Sequence, residues 1–239
     1  MVSRRMRINK LSLRKVHRWL GLFAGIQLLA WTVSGLYFSA ISIDEIHGDH
    51  ILAIEAEQLL ASSFELISIS ELVRSHPPLV DAGLLDFKLY VNNGQPVFVV
   101  KRLRFDAQSG EALDKITESQ ALEIVEARTG VQALGVSRVE EVEPGSEYRG
   151  GDLPAWKIDV AEDNASIYVS ATTGKLRAVR TTYWRIFDFL WSLHIMDYEE
   201  RDDFNNWLLI FMASLGVITV LSGLTLFALT QRFRPRQSR

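Results

Sequence analysis

Histidine and carboxylate are the side chains through which this chain could do chemistry, because its 239 residues include no cysteine. That excludes disulfides, thiolate metal sites, cysteine-ligated clusters and any covalently attached prosthetic group that needs a thioether. Redox chemistry would need a non-covalent cofactor. The chain also lacks a nucleophile elbow, a phosphate loop, an HExxH helix and a dinucleotide-binding glycine motif, so hydrolase and nucleotide-enzyme classes find no support. Two groups of residues remain. His17 and His194 each lie beside a long apolar run. Asp44, Glu45, His47 and His50, with Asp49 among them, offer oxygen and imidazole donors that could hold a hard cation. Each group also has a plainer role open to it. The histidines would serve as amphipathic rings at the headgroups, and the acidic cluster would be a solvated, membrane-proximal turn.

The elements that must position these residues begin with the apolar runs. No charged residue occurs from Trp19 to Ile43, or again from Trp207 to Thr230. About 20 such residues cross a bilayer core as helix, so spans are predicted over 16–43 and 204–230. Charge is sharply segregated: residues 1–18 carry seven Lys and Arg and no acid, residues 231–239 carry four Arg and no acid, and all 29 acids fall between Asp44 and Asp203. Basic residues flanking spans stay in the cytoplasm. Tails 1–15 and 231–239 are therefore expected inside a bacterial inner membrane, with the central domain in the periplasm. Cleavage as a signal peptide is not expected, because the apolar run is too long and Tyr37-Phe38-Ser39-Ala40 is a poor small-x-small site. Gly21-x-x-x-Gly25 and Ser34-Gly35 in the first span, and Gly216, Ser222 and Gly223 in the second, are small residues suited to close helix packing or self-association. Trp19 and Tyr37 suit the two interfaces, whereas Trp31 lies mid-span, where it would face a partner or a cofactor.

Between the spans, a linker (44–64) leads into 65–180, which reads as one unit repeated. The first copy opens with Ser68-x-x-Glu71, a capping box, before a helix that stops ahead of Pro77-Pro78. Strands follow at 85–91 and 97–103 around an Asn-Asn-Gly turn, and the copy closes on FDAQSGEAL (105–113). The second opens with the box Thr117-x-x-Gln120, and its helix stops at Gly130. Strands follow at 136–142, 155–160 and 165–170, and it closes on ATTGKLRAV (171–179) with Gly174 equivalent to Gly110. The class is α+β, two helix-plus-antiparallel-strand units between two spans. Residues 143–154 read as a Gly/Pro-rich surface excursion without chemistry. Residues 181–203 hold aromatics three and four apart, Trp184, Phe187 and Trp191, and predict an amphipathic helix at the outer interface.

The closing phrase, a strand and then D-x-x-x-G-E/K-x-L, resembles the PepSY module. The opening helix with His17-Arg18-Trp19-Leu20-Gly21, together with Leu193-His194 ahead of the second span, resembles the PepSY-associated transmembrane family. Larger members of that family include ferric and ferrisiderophore reductases that bind haem b through membrane histidines, so the resemblance implies His17 and His194 as cofactor ligands. It also implies ferric iron, free or chelated, as electron acceptor, and the residue types of Asp44, Glu45, His47 and His50 would suit that cation. A carboxylate, Asp197 or Asp188, could orient His194.

A single crossing per span would put His17 and His194 about 30 Å apart. One haem cannot use both, and a symmetric homodimer is expected, each histidine meeting its own copy. Larger members have four spans, and Phe38-Ser39 stand here where a histidine is expected. The remaining partners expected are membrane lipid and a cytoplasmic or quinone electron donor, with no nucleic acid. The alternatives are a membrane-anchored PepSY docking protein that uses Lys101, Arg102 and Arg104, and an iron-uptake accessory that binds at 44–50 without reducing.

Overall fold

The computed structural model describes residues 10–52, 64–79, 87–92 and 94–230. Most of both basic tails, part of the linker (53–63), the start of the first predicted strand and Asn93 lie outside them. The chain divides into two compact units: one holds the segments up to Ala40 and from Phe187 onward, the other Ile41–Ile186.

The first unit is helical. Helix α1 (Lys10–Ala40) holds the first apolar run as far as Ala40, three residues short of the predicted end at 43 because Ser42 already caps the next helix, and the last helix, Trp207–Thr230, is the second. Both present large apolar side chains outward, among them Phe23, Ile26, Leu29, Phe211 and Leu224, as helices solvated by lipid do. The seam between them is made by small residues. Ala24 is buried on α1, Gly216 and Thr219 on the last helix, and Leu28 Cδ2 lies 4.0 Å from where a Cβ on Gly216 would stand. Close approach of backbones needs such residues. Gly21, Gly25 and Gly35 have open space around them and take no part in this seam.

The second unit holds the two sheets. After α1 the chain makes a short helix α2 (Ile43–His47), capped at its start by Ser42. Gly48 ends it at φ +76, where an added Cβ would run into Val179 and Thr181. Helix α3 (Ile69–Ser75) starts at Ser68, whose hydroxyl accepts from Glu71 N. The first sheet is antiparallel, β1 (Phe87–Asn92), β2 (Gln95–Val100), β3 (Leu103–Asp106) and β4 (Ala112–Leu113), in sequential order. Leu72 of α3 packs with Phe98, Val100 and Phe105 on one face. Each such side chain contributes on the order of 1.5–3 kcal/mol by burial.

The predicted strand over 97–103 is two strands. Its break falls at Lys101–Arg102, where Lys101 takes φ +54 and turns β2 back into β3. A lysine there costs roughly 1–2 kcal/mol relative to glycine, a price that propensity alone would not foresee.

Helix α4 (Glu118–Thr129) has the full capping box, Thr117 and Gln120 bonding each other's backbone, and ends on Gly130 at φ +68. It covers a second antiparallel sheet, β5 (Ala133–Val139), β6 (Ala155–Val160), β7 (Ser166–Ser170) and β8 (Leu176–Arg180), again in sequential order. Ala121, Ile124 and Val125 meet Trp156, Ile158, Ile167 and Val169.

The two copies close alike. In the first, Asp106 Oδ1 accepts from Gln108 N and Ser109 N, and Gly110 sits at φ +77. In the second, Ser170 Oγ accepts from Thr172 N and Thr173 N, and Gly174 sits at φ +72. One residue is charged and the other is not, yet the turn is the same. The Ser109 N–H, followed by that of Gln108, holds the Asp106 carboxyl below its ordinary range against the desolvation that raises it.

Residues 143–154 are not a free excursion. Tyr148 is 2% exposed and stacks on Tyr168 at 4.6 Å, with Leu153 beside them, so this loop is the cover of the second sheet's other face. Burial pushes the Tyr168 hydroxyl up to about 12. Glu147 anchors the loop by accepting from Arg185 Nε at 2.6 Å, and Arg180 Nε donates to its carbonyl at 2.8 Å.

Candidate functional site

His17 and His194 are each seated on a serine of another helix. Number the two remaining helices α5 (Thr182–Ile195) and α6 (Trp207–Thr230). His17 of α1 places Nδ1 2.6 Å from Ser222 Oγ on α6. His194 of α5 places Nδ1 2.7 Å from Ser34 Oγ on α1. Each serine also has a carbonyl of its own helix within reach of its single proton. Ser222 donates to the Thr219 carbonyl at 2.8 Å, and Ser34 donates to the Trp31 carbonyl at 3.0 Å. This back-bonding is common for serine within apolar helices. With that proton on the carbonyl, each serine oxygen is an acceptor and suits an imidazole that carries its hydrogen on Nδ1. Nε2 then carries the lone pair, and neither Nε2 has a hydrogen bond among the described residues. An imidazole fixed through Nδ1–H with Nε2 bare is the form that ligates a metal.

The surroundings differ. At His17 the neighbouring residue on α6 is Gly223, and a Cβ added there would stand 3.0 Å from Cε1 and 3.5 Å from Nε2 of the ring. The glycine is what lets the imidazole lie against the helix. At His194 the ring is enclosed by aromatics: Trp191 stacks on it at 3° and 6.4 Å, Phe38 lies at 5.7 Å and Trp31 at 6.2 Å. Phe187 continues the column, stacked on Trp191 at 5.9 Å. Residues 187, 191 and 194 fall on one helical face, so His194 extends the aromatic stripe visible in the sequence.

The end of α5 is held by α1. Trp31 Nε1 donates to the His194 carbonyl at 2.7 Å, and Gln27 Nε2 donates to the Leu193 carbonyl at 3.3 Å. The last carbonyls of a helix lack intrahelical donors, and in lipid each would cost several kcal/mol. Mid-span Trp31 therefore faces its own chain. The stretch read as an interfacial helix has its last turn beside Ser34, six residues or about 9 Å from the end of α1.

Neither carboxylate proposed to orient His194 does so. Asp188 is buried and bonded to Arg201. Asp197 accepts from the N–H groups of Glu199, Glu200, Asp202 and Asp203 and so builds the α5–α6 connection. Desolvation raises the Asp197 carboxyl, but these four donors outweigh it and hold it below its ordinary range. Asn206 completes the connection, donating to the Ile195 carbonyl at 2.9 Å and capping α6 through Leu209 N at 2.8 Å. Phe38, at the position where a histidine was expected, supplies a cage wall and no ligand.

Three of the four cluster residues share one short helix, and the fourth has a partner elsewhere. Asp44 and Glu45 lie in the first turn of α2 and His47 in its last, while His50 bonds Asp163 Oδ2 at 2.6 Å. Among the described residues no three His, Asp or Glu side chains are gathered as a metal group. Of the three cations assigned to a docking face, Arg104 is buried and donates to the Asp114 carbonyl at 2.6 Å.

The sequence pointed to both histidines as ligands but to neither serine as their partner. The usable signal was the pair of short small-residue motifs, Ser34-Gly35 and Ser222-Gly223, each read there only for packing.

His17 and Ser34 are seventeen residues apart on α1, about 25 Å along the helix. The two seats are therefore separate, each offering one imidazole. A family model described as PepSY-associated TM region matches residues 14–239. No curated protein and no solved structure matches the chain.

Proposed function

We propose that this chain, which belongs to the PepSY-associated TM family, is a b-type haem protein of the bacterial inner membrane that passes electrons outward to ferric iron in support of iron uptake. The observation that carries it is the matched pair of imidazoles, each fixed through Nδ1 by a serine oxygen with Nε2 bare. The donor set fits such a cofactor: neutral nitrogen ligands within an apolar helical unit, and no thiolate. Bound there, a haem would supply a one-electron carrier at each end of the helix pair.

The rest falls to the protein. The serines hold the imidazoles in the ligating tautomer. Trp31, Phe38 and Trp191 exclude water from the outer seat. Since each seat offers one imidazole, a second copy of the chain would complete it across a two-fold axis, His17 opposite His17 and His194 opposite His194. Basic residues at both ends of the chain support a cytoplasmic placement of the termini and a periplasmic central domain. The chain would take single electrons from a quinol, or from the reduced flavin of a partner, and deliver each to one ferric ion, giving ferrous.

The test is the spectrum of the chain purified in detergent from haem-replete cells. Soret and α bands that sharpen on reduction are expected. Their absence overturns the proposal, and bands that survive both His17→Ala and His194→Ala overturn the assignment of the ligands.

A further inference from the structure

The central domain contains a cleft whose charge is opposite to that of its surroundings. Residues 44–203 carry 29 acids against fifteen Lys and Arg. Yet a cavity of about 320 Å³ between the first sheet and the β7–β8 turn of the second is lined by Lys88, Lys101, Arg102 and Arg177, with Asp152 the one acid among the described residues. Asp152 accepts from Arg177 Nη2 at 3.2 Å, so its charge is balanced within the lining. The volume is at the lower end for small-molecule sites. Hydroxyls complete it, from Tyr90 on β1 and from Thr172 and Thr173 in the turn.

The register adds a further cation to the same face. Lys88, Val99, Arg104 and Leu113 are directly opposite across β1–β4, and such residues share a face. Lys88 and Val99 line the cleft. Arg104, 7% exposed, has a buried Nε without a hydrogen-bond partner. The backbone is also committed here, since Lys101 is held at φ +54 in a hairpin turn that glycine would fill without strain. Strain of this kind concentrates at binding sites.

We propose that this cleft binds a small polycarboxylate oxyanion and, under the reductase proposal above, the polycarboxylate chelate in which ferric iron arrives. The oxyanion site stands without that proposal; the identity of the iron complex rests on it. Arginine forks pair with planar carboxylates bidentately, and the local field draws an anion that the rest of the domain repels. Bare ferric iron would be repelled from the cleft.

The experiment uses the full chain in zwitterionic nanodiscs and titrates redox-inert gallium(III)–citrate, citrate alone and inorganic phosphate by calorimetry. The expected result is that gallium–citrate binds with a Kd in the micromolar range and weakens as salt is raised. Lys101→Gly should weaken it at least about threefold, and Lys101→Gly with Arg102→Ser at least about tenfold. Glycine suits the turn, so the melting temperature of the single variant should not fall, which separates a lost ligand from a lost fold. Three results would overturn the proposal: no binding tighter than about millimolar, unchanged affinity in the double variant, or phosphate binding as tightly as the citrate species. Spectra of the same samples keep the two proposals apart. Chelate binding without Soret bands sinks the reductase proposal alone, and Soret bands without chelate binding sink the cleft alone.

Discussion

The two histidine seats use one device in two settings. In both, a serine gives its proton to a carbonyl of its own helix and presents a lone pair to Nδ1. At His17 little else holds the ring, and Gly223 simply makes room for it. At His194 the ring is also walled by Trp191, Phe38 and Trp31, and its backbone carbonyl is tied to α1. The His17 seat, inner under the proposed topology, therefore depends on a single hydrogen bond and a void, whereas the His194 seat, outer under it, is over-determined. Over-determined sites hold their ligands within tight geometric limits, and the contrast predicts that the seats will fail differently.

The largest effects should come from the ligands. His194→Ala and His17→Ala should each remove one component of the reduced spectrum, and the double variant should be colourless. Equal and complete loss from either single change would break the comparison, since it would mean one shared site. Next is Gly223→Leu, which drives a branched side chain into the His17 ring. It should abolish the inner component and leave the outer one within error in a redox titration.

Removing the serines should cost less and unequally. Groups that orient metal-bound histidines contribute about 10–100-fold in affinity. Ser222→Ala should lie near the upper end, and Ser34→Ala nearer the lower, because stacking on Trp191 still positions His194. Haem retention under competition with an apo-globin reads the difference, and a larger loss for Ser34→Ala would reverse the ordering argued here.

The smallest effect concerns pH. Asp197, whose folded pKa is depressed, contributes stability above the unfolded value near ~3.9 and loses it as pH falls through the folded value. Its bonds shape only the α5–α6 connection. Acidification below about pH 4 should therefore loosen the outer seat before the inner. Asp197→Asn should remove that difference, as followed by the melting temperature of each spectral component.

Much of this was legible in the sequence because it depends on local rules. The spans follow from missing charge, α4 from Thr117, Gln120 and Gly130, and the repeat from two matching turns at Gly110 and Gly174. What escaped depended on partners remote in sequence. Ser34 and Ser222 have the same composition signal as any small-residue packing motif; only helix pairing shows that one meets His194 and the other His17. The 143–154 loop looked like a surface excursion, because one buried tyrosine cannot outweigh nine residues of glycine, proline and charge until its stacking partner on β7 is known. Lys101 was read as strand because nothing in its type announces a left-handed turn.

The sequential strand order of both sheets bears on how the protein is made. Strands adjacent in space are adjacent in the chain, and the longest return, residues 140–154, joins β5 to β6. Every pairing thus closes over a short stretch, the condition for rapid folding. Each sheet can form as soon as its own residues are delivered, before Trp207–Thr230 has left the ribosome. On that order the second span would join a domain already folded, and the Ser222 seat for His17 would be the last element to be assembled.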